Sequence, residues 1–291
     1  MKTFKAALIQ QKSVLGNKEW NFQQIKRLLK EIDISDIELV LLPELNLTGH
    51  GGHKDIVSQA ETIPNGPYVQ KMISLAKTYN CVIGFGMAEE DRGIFYNTYV
   101  LVGENGYIGK QRKTHLSGDE YFYFKGGMEV PVFDLEFARV GIVICYDNSL
   151  PEISRIAAIK GAEVLLCPHA SRVVGKVSGP QIAEYILTYK KGWEMIHAVR
   201  AGDNNAYILL VDAVGDSAEN YRDVNAVHVG GCMAIDPYGR VIAQSEDTSL
   251  QEEIVIVEID AQVVEQRRQE ICNPMRTRRP EVFAPLSEFI C

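Results

Sequence analysis

Short apolar runs alternate with amphipathic segments along the first third of the chain. Three segments have the length and aliphatic content of buried strands: "FKAALIQ", "IELVLLPEL" and "CVIGFGMAEE". Apolar residues recur at helical spacing in "NKEWNFQQIKRLLKEI" and "GPYVQKMISLAKTYN", where Asn17 is suited to an N-cap and Pro67 to a first turn. Strands that alternate with amphipathic helices predict an α/β fold.

The middle of the chain changes to consecutive strands. Two strands joined by a Glu-Asn-Gly turn are predicted over "IFYNTYVLVGENGYIGKQRKTH", and another pair over "VPVFDLEFARVGIVIC". Helix and strand then alternate again through "PEISRIAAIKGA", "EVLLCPHA", a long helix from Gln181 to about Ala201, and "AYILLVDAVG". Strands close the chain in "GCMAIDPYGRVIAQS" and "EEIVIVEID". One mixed sheet, or two sheets face to face, covered by helices would satisfy this order.

Composition and charge narrow the class of protein. The 291 residues, 46% hydrophobic and 23% charged, fit one large globular α/β domain. A net charge of −8 argues against nucleic acid as a partner, since phosphate backbones are bound through clustered Lys and Arg. The opening "MKTFKAALIQ" is too short for a signal-peptide core, and no run reaches the roughly 20 apolar residues of a membrane helix. A cytoplasmic protein without membrane contact is therefore expected.

The cysteines do not form a metal or disulfide pattern. They are scattered without any CxxC pair, which is unlike a zinc site or a dense disulfide framework. They are interpreted as reduced thiols, most of them buried: Cys81, Cys145, Cys167, Cys232, Cys272 and Cys291.

Three strand ends carry residues that could do chemistry. Glu44 follows "LVLLP", Lys113 follows "YIGKQR", and Cys145 follows "VGIVI". Taken singly, each has an ordinary explanation as a solvated acid, a surface cation or an inert core thiol. Together they supply a base, an oxyanion-stabilising cation and a nucleophile, which are the groups that thiol catalysis requires.

A Cys–His enzyme of the papain type is the natural rival. His115 and His169 lie near candidate loops, His50 and His53 lie in the glycine-rich "GHGGHK", and His197 is expected on a helix. No cysteine-containing stretch matches a papain-like or caspase signature.

The chain resembles the carbon–nitrogen hydrolases, or nitrilase superfamily. The resemblance rests on "LVLLPELNLTGH", "GKQRKTHL" and "VGIVICYDNSLPEISRIAAIKGAEVLLCPHA", with support from "AVRAGDNNAYILLVDAVG", "AIDPYGRVIAQS" and "RTRRPEVF". It implies a four-layer α-β-β-α sandwich over residues 1–260. It also implies that residues 261–291 form a C-terminal extension that packs at the interface of a homodimer or higher homo-oligomer.

The resemblance also assigns roles to the strand-end residues. It makes Glu44 the general base, Lys113 the oxyanion-stabilising cation and Cys145 the nucleophile, with no metal or organic cofactor. A second carboxylate follows the lysine loop in this family. Glu120 in "GDEYFYFKGG" takes that position, and Asp119 is the alternative if the alignment slips by one residue.

The substrate is less determined than the chemistry. Tyr146 follows the nucleophile, where its backbone N–H would be a second oxyanion donor, and Cys-Tyr-Asp resembles amidases more than the Cys-Trp-Glu of true nitrilases. In the loop from Pro168 to Pro180, His169 and Arg172 are predicted substrate contacts, because a guanidinium suits a carboxylate. Aromatic residues that could wall the pocket are Tyr121, Phe122, Tyr123 and Phe124.

Hydrolysis of a small-molecule amide to a carboxylate and ammonia, through a cysteine thioester, is the predicted function. An N-carbamoyl amine or N-carbamoyl amino acid hydrolase is the alternative. A true nitrilase, or a member without catalytic activity that serves as a binding protein, ranks below both.

Overall fold

The computed structural model describes residues 1–51, 55–174, 180–216, 226–246, 248 and 250–288. The helices of this part of the chain are α1 (Lys18–Leu29), α2 (Asp55–Ser58), α3 (Pro67–Tyr79), α4 (Pro151–Ile159), α5 (Pro180–Asn204) and α6 (Ala261–Gln269). The strands are β1 (Phe4–Gln10), β2 (Leu39–Leu41), β3 (Val82–Asp91), β4 (Ile94–Gly103), β5 (Gly106–Arg112), β6 (Val132–Asp134), β7 (Arg139–Ile142), β8 (Val164–His169), β9 (Arg172–Val174), β10 (Tyr207–Asp212), β11 (Val214–Asp216), β12 (Ala226–Val229), β13 (Cys232–Ile235), β14 (Val241–Gln244) and β15 (Glu253–Ile259).

The first large sheet has the strand order β15-β1-β2-β3-β4-β5. Its centre is parallel, with β2 between β1 and β3. The predicted hairpin is confirmed, because β4 and β5 pair in antiparallel fashion across the turn that closes at Gly103 and Gly106. β15 returns from the end of the chain to pair antiparallel with β1 along its whole length.

The second large sheet has the strand order β14-β13-β10-β8-β7-β6. Its centre is again parallel, with β8 between β7 and β10. The predicted pair over "VPVFDLEFARVGIVIC" is the antiparallel pair β6–β7. A small third sheet, in the order β11-β12-β9, lies beyond the ends of β8 and β10.

Three apolar clusters show that the large sheets pack face to face. One cluster joins residues of both sheets, including Leu41 of β2, Ile142 of β7 and Leu209 of β10. A second fills the space between the first sheet and α1 and α3, and a third fills the space between the second sheet and α4 and α5. The layers are therefore helix, sheet, sheet, helix, which confirms the predicted four-layer α-β-β-α sandwich and selects two sheets over one.

Local sequence signals set the helix ends. Oδ1 of Asn17 accepts the backbone N–H of Trp20 at 3.1 Å, so Asn17 is the N-cap of α1 as predicted. Pro67 is the first residue of α3. That helix ends at Asn80, which adopts the left-handed conformation at φ +52°. No helix of the described residues is long and apolar enough to span a bilayer.

The residues beyond β15 form α6 and then two short 3₁₀ turns. The division at residue 260, and the packing of this tail on a second subunit, stay predictions. The loops after β2, β5 and β7 meet, and the predicted catalytic residues lie on them or in the turn that follows.

Candidate active site

A buried lysine joins two carboxylates where these loops meet. Lys113 follows β5 directly, Glu44 lies just beyond β2, and Glu120 lies in a 3₁₀ turn over Gly118–Phe122. The ammonium of Lys113 donates to Oε1 of Glu44 and to Oε2 of Glu120, at 2.7 Å in both cases. All three side chains are almost completely excluded from solvent. The structure therefore brings together three of the four predicted catalytic residues through direct contacts.

Two polar residues that the sequence analysis did not select hold the carboxylates in place. Asn97 of β4 donates through Nδ2 to Oε1 of Glu44 at 2.7 Å and to Oε1 of Glu120 at 2.8 Å. Ser117 donates its backbone N–H and its hydroxyl to Oε2 of Glu120, at 2.8 and 2.9 Å. The signal for Asn97 was its place inside the apolar strand "IFYNTYVLV", because a buried amide needs hydrogen-bond partners.

The two carboxyl groups have opposite electrostatic environments. Burial raises the pKa of Glu44 above its ordinary value, and the charge of Glu120 adds to this rise against the opposing effect of Lys113. Burial acts in the same direction on Glu120, but Lys113 and the hydrogen bonds from Ser117 outweigh it and lower the pKa of Glu120. Carboxyl groups whose pKa values are pushed apart are suited to different tasks. Glu44 can take up and release a proton, whereas Glu120 remains an anion.

One group of three side chains among the described residues has the spacing of a metal site. Donor atoms of Glu44, His50 and Glu120 lie within 4.8 Å of one another. The Lys113 ammonium already contacts both carboxylates. Burial opposes its charge, yet the two carboxylates raise the pKa of Lys113. A fixed cation thus occupies the place between the carboxylates, so this donor set fits an ammonium better than a divalent ion. That no metal or cofactor is needed stays a prediction.

Cys145 lies at a sharp connection between a strand and a helix. It begins a 3₁₀ turn over Cys145–Ser149, which joins β7 to α4. Its φ of +45° lies in the left-handed region, which residues with a β-carbon rarely adopt. Such a conformation persists only where the surrounding structure enforces it, and it is common where a reactive group must be aimed. The residue is partly buried and packs against the core between the sheets.

The thiol is electrostatically linked to the acid and the lysine. Burial and the negative charge of Glu44 raise the pKa of Cys145 well above its ordinary value, while Lys113 acts in the opposite direction. The resting group is therefore the neutral thiol, which must lose its proton to become a nucleophile. Oε2 of Glu44 is buried and has no hydrogen bond to a residue that the structure describes, so its lone pairs are free to accept that proton.

Asp147 ties the nucleophile's turn to the lysine loop. One carboxylate oxygen accepts the backbone N–H of Thr114 at 3.0 Å, and the other accepts the backbone N–H of His115 at 2.8 Å. The ring Nδ1 of His115 also lies 2.8 Å from this carboxylate. Asp147 is fully buried. The loop after Lys113 and the turn that begins at Cys145 are thereby held together, a function that the sequence analysis did not assign to Asp147.

Arg172 and Asp119 form a second ion pair beside the first. Nη2 of Arg172, in β9, donates to Oδ1 of Asp119 at 2.8 Å. Asp119 therefore contacts Arg172, whereas its neighbour Glu120 contacts Lys113. The catalytic role of Glu120 stays a prediction. Arg172 is near enough to lower the pKa of buried His50, after the larger effect of burial.

The remaining predicted contacts differ in exposure. The side chain of Tyr146 is 45% exposed next to the nucleophile, whereas His169 is completely buried. Tyr121 and Phe122 are largely exposed, and Phe124 packs in a small core cluster. Contact of substrate with Tyr146, His169 and Arg172 stays a prediction, as does a pocket wall made by the aromatic residues.

The histidines do not form a pair with the nucleophile in the described part of the chain. His115 contacts Asp147, His50 packs edge-to-face on His228 with ring centroids 5.8 Å apart, and His197 contacts the carbonyl of Trp193. His53 lies outside the described residues. None of the hydrogen bonds between described residues joins an imidazole to the Cys145 thiol, so the papain-type alternative has no geometric support there.

Comparison with known proteins agrees with this geometry. The carbon–nitrogen hydrolase family profile matches residues 5–269. A nitrilase from Pyrococcus abyssi is 30% identical over 283 residues, covering 96% of this chain and 98% of that protein. An omega-amidase from Bos taurus is 30% identical over 282 residues, covering 93% and 94%. The crystal structure of Saccharomyces cerevisiae Nit3, a member of the nitrilase superfamily, superposes with a TM-score of 0.78 at 26% identity over 96% and 97% of the two chains.

The sandwich fold, with an acid, a lysine and a thiol at one edge, defines a hydrolase of carbon–nitrogen bonds. The chain belongs to the carbon–nitrogen hydrolase family, within the nitrilase superfamily, and its relatives there include proteins named as amidases.

Proposed function

We propose that this enzyme hydrolyses the carboxamide of a small molecule, releasing ammonia and a carboxylate through a thioester on Cys145. The observation that carries the proposal is the buried Glu44–Lys113–Glu120 cluster, in which one oxygen of Glu44 has no described partner and the thiol responds to both Glu44 and Lys113. A base with an available lone pair, a buried cation and a thiol on a strained backbone are the parts of an acyl-transfer site.

In the first half-reaction, Glu44 takes the proton of Cys145 and the thiolate sulfur attacks the amide carbon. The carbonyl oxygen becomes an oxyanion, which the Lys113 ammonium stabilises together with the backbone N–H of Tyr146. When the carbon–nitrogen bond breaks, the nitrogen takes the proton from Glu44 and leaves as ammonia. The acyl group remains on sulfur as a thioester, and Glu44 is again a carboxylate.

In the second half-reaction, Glu44 takes a proton from water, and the resulting hydroxide attacks the thioester carbon. The carbon–sulfur bond breaks, the thiolate recovers the proton from Glu44, and the carboxylic acid leaves. Glu120 keeps its charge throughout, because its pKa is lowered by Lys113 and Ser117. Its role is to hold the ammonium in place and to keep it protonated.

An anionic group on the substrate would find a donor in Arg172. The guanidinium lies on β9, where its ion pair with Asp119 orients it and its side chain keeps a small exposed fraction. An arginine fork matches the geometry of a carboxylate. The substrate class proposed is therefore a primary amide that carries a carboxylate at a distance from the amide carbon. The omega-amidase name of the Bos taurus relative is consistent with such a class.

The test is an assay of ammonia and carbon dioxide over amides with and without a carboxylate, N-carbamoyl compounds and nitriles. The proposal expects ammonia without carbon dioxide, and higher kcat/KM for the carboxylate-bearing amides. Equal amounts of ammonia and carbon dioxide would instead identify an N-carbamoyl hydrolase. Relatives named N-carbamoylputrescine amidase, from Arabidopsis thaliana, and citrullinase, from Francisella tularensis, are the reason to consider this activity.

The nucleophile is tested by Cys145→Ala, with Cys272→Ala as the matched control because Cys272 is an exposed thiol distant in sequence from the site. Cys145→Ala is expected to abolish turnover, and Cys272→Ala to leave it intact. Undiminished turnover in Cys145→Ala would overturn the mechanism. No product from any compound, with no selective alkylation of Cys145, would favour a non-catalytic binding protein.

A further inference from the structure

The amide of Asn148 lies among three acceptors next to the nucleophile. Its Nδ2 atom is 3.0 Å from the carbonyl oxygen of Val143, 3.1 Å from the carbonyl oxygen of Cys145 and 3.2 Å from Nε2 of His169. Asn148 and His169 are both excluded from solvent. Two amide hydrogens thus serve three neighbours, with one hydrogen shared between two of them.

The two backbone carbonyl groups determine the orientation of the Asn148 amide. That orientation in turn determines which nitrogen of the His169 imidazole carries the proton. An amide oxygen in place of Nδ2 would face two carbonyl oxygens without any donor, so the nitrogen must face them. Nε2 of His169 then faces an N–H group and has to present its lone pair. The ring is therefore neutral, with its proton on Nδ1. Burial, which lowers the pKa of His169, acts in the same direction.

This arrangement encloses the strained residue. Asn148 donates to Val143, which precedes the turn, and to Cys145 itself, whose φ is +45°. The side chain of one residue in the turn thus binds the carbonyl groups on either side of the strained backbone. A cysteine in the left-handed conformation relaxes unless its surroundings prevent it. Nε2 of His169, which accepts from Asn148, therefore also helps to fix the direction of the Cys145 thiol.

His169 also reaches the general base. Its carbonyl oxygen accepts the backbone N–H of Glu44 at 3.3 Å, and the same residue contacts Asn148 through its ring. The back of the ring packs on Trp193, with centroids 4.3 Å apart. A single residue at the end of β8 thus connects the backbone of the base to the turn of the nucleophile, without exposure to solvent.

We propose that His169 is a positioning residue, whose neutral imidazole holds Asn148 and thereby keeps Cys145 aimed at the substrate carbonyl and at Glu44. The inference rests on the proposed function, and it gives His169 a role that does not depend on contact with the substrate.

The test compares His169→Gln with His169→Asn. Oε1 of glutamine can take the place of Nε2, whereas the shorter asparagine carries its acceptor nearer the backbone and cannot reach Asn148. The expected result is that His169→Asn lowers kcat by about tenfold to a hundredfold with KM within about twofold, because a small misplacement of reacting groups has effects of that size. His169→Gln should restore kcat to within about threefold of the wild type.

The rate of Cys145 alkylation by iodoacetamide, measured without substrate, should follow the same order as kcat. His197→Asn is the matched control, since His197 is an equally buried imidazole that packs on the same tryptophan and on the His169 ring itself, with centroids 5.3 Å apart, but has no described bond to Asn148. It therefore separates loss of packing from loss of the acceptor for Asn148. Its kcat is expected to stay within about threefold of the wild type.

Equal kcat in His169→Asn and wild type would overturn the inference, as would a raised KM with unchanged kcat, which would indicate a substrate contact. So would equal losses in His169→Asn and His197→Asn, which would indicate damage to the fold. These outcomes are separate from failure of the proposed function, which turnover in Cys145→Ala would reveal.

Discussion

Lys113 donates a 2.7 Å hydrogen bond to Glu44, and both side chains are sealed from solvent. Removing two opposite charges from water costs several kcal/mol for each ion, and such pairs are often replaceable by apolar residues without loss of stability. The pair is therefore poorly explained as a source of stability. It is well explained if the ammonium has to face an oxyanion that forms only during the reaction.

Replacing Lys113 by methionine tests this explanation. Loss of an oxyanion donor is expected to lower kcat by about 10² to 10³. Loss of one partner of the buried cluster should also lower the free energy of unfolding by about 3 to 5 kcal/mol, because two carboxylates remain without their cation. Steady-state kinetics and urea unfolding measure the two effects. Lys125→Met, at an exposed lysine of the next loop, should change neither, and a fully active Lys113→Met would contradict the assignment.

The pH dependence should report the raised pKa of Glu44. Activity requires Glu44 as a carboxylate, so kcat/KM should fall on acidification through a pKa above the ordinary 4.5. Since the charge of Glu120 raises the pKa of Glu44, Glu120→Gln should move this acid limb to lower pH while kcat decreases. The pH profile of kcat/KM for both proteins gives the answer. An acid limb that moves to higher pH would show that the two carboxylates are not coupled as described.

Asp147→Asn should separate the lysine loop from the nucleophile's turn. Asparagine keeps one acceptor oxygen, but its amide nitrogen would face a backbone N–H of Thr114 or His115. We expect the free energy of unfolding to fall by about 1 to 3 kcal/mol, the usual effect of an unsatisfied buried donor, and kcat to fall while KM changes little. Asp119→Asn is the comparison, because it removes a carboxylate from Arg172 instead. That variant should change KM for anionic amides and leave kcat nearly unaltered; the reverse pattern would contradict both assignments.

The left-handed backbone at Cys145 gives a stability prediction that is independent of substrate. Alanine retains the strain at φ +45° and glycine removes it, so Cys145→Gly should be more stable than Cys145→Ala by about 1 kcal/mol. Denaturant unfolding measures the difference. Cys167 lies within the regular strand β8, where the same pair of substitutions should give the opposite order. A Cys145→Ala protein more stable than Cys145→Gly would show that this residue is not strained.

The outer face of α5 is where we expect the contact of the predicted homodimer. Met195 and Val199 are both more than half exposed and lie one turn apart on the helix, which places them on one face. Light scattering should give a mass near that of two chains, and the double variant Met195→Glu/Val199→Glu should lower it. Trp20→Glu, on α1 in the opposite outer layer, should not. A monomeric wild type at micromolar concentration would contradict the prediction.

Periodicity determined most of the fold. The alternation of apolar runs with segments of helical spacing predicted β1, α1, α3 and the β4–β5 hairpin. Each of these elements has buried side chains, and the spacing of its apolar residues shows this within a short stretch of sequence. Periodicity left one sheet and two sheets equally acceptable, since both bury the same strands. Only the packing of the two parallel centres against each other, through the cluster that includes Leu41 and Ile142, distinguishes them.

By itself the sequence selected the candidates for the chemistry: Glu44, Lys113 and Cys145 stand at strand ends, in motifs that resemble those of a known family. Their catalytic roles stay predictions. Tertiary structure decided how they are held. Asn97 bridges two acids that are distant in sequence, and Asp147 and Asn148 bind the lysine loop, the strained turn and His169. A hydrogen bond between residues far apart leaves no periodic signal along the chain, because its partners become neighbours only when the strands assemble into sheets and the sheets pack.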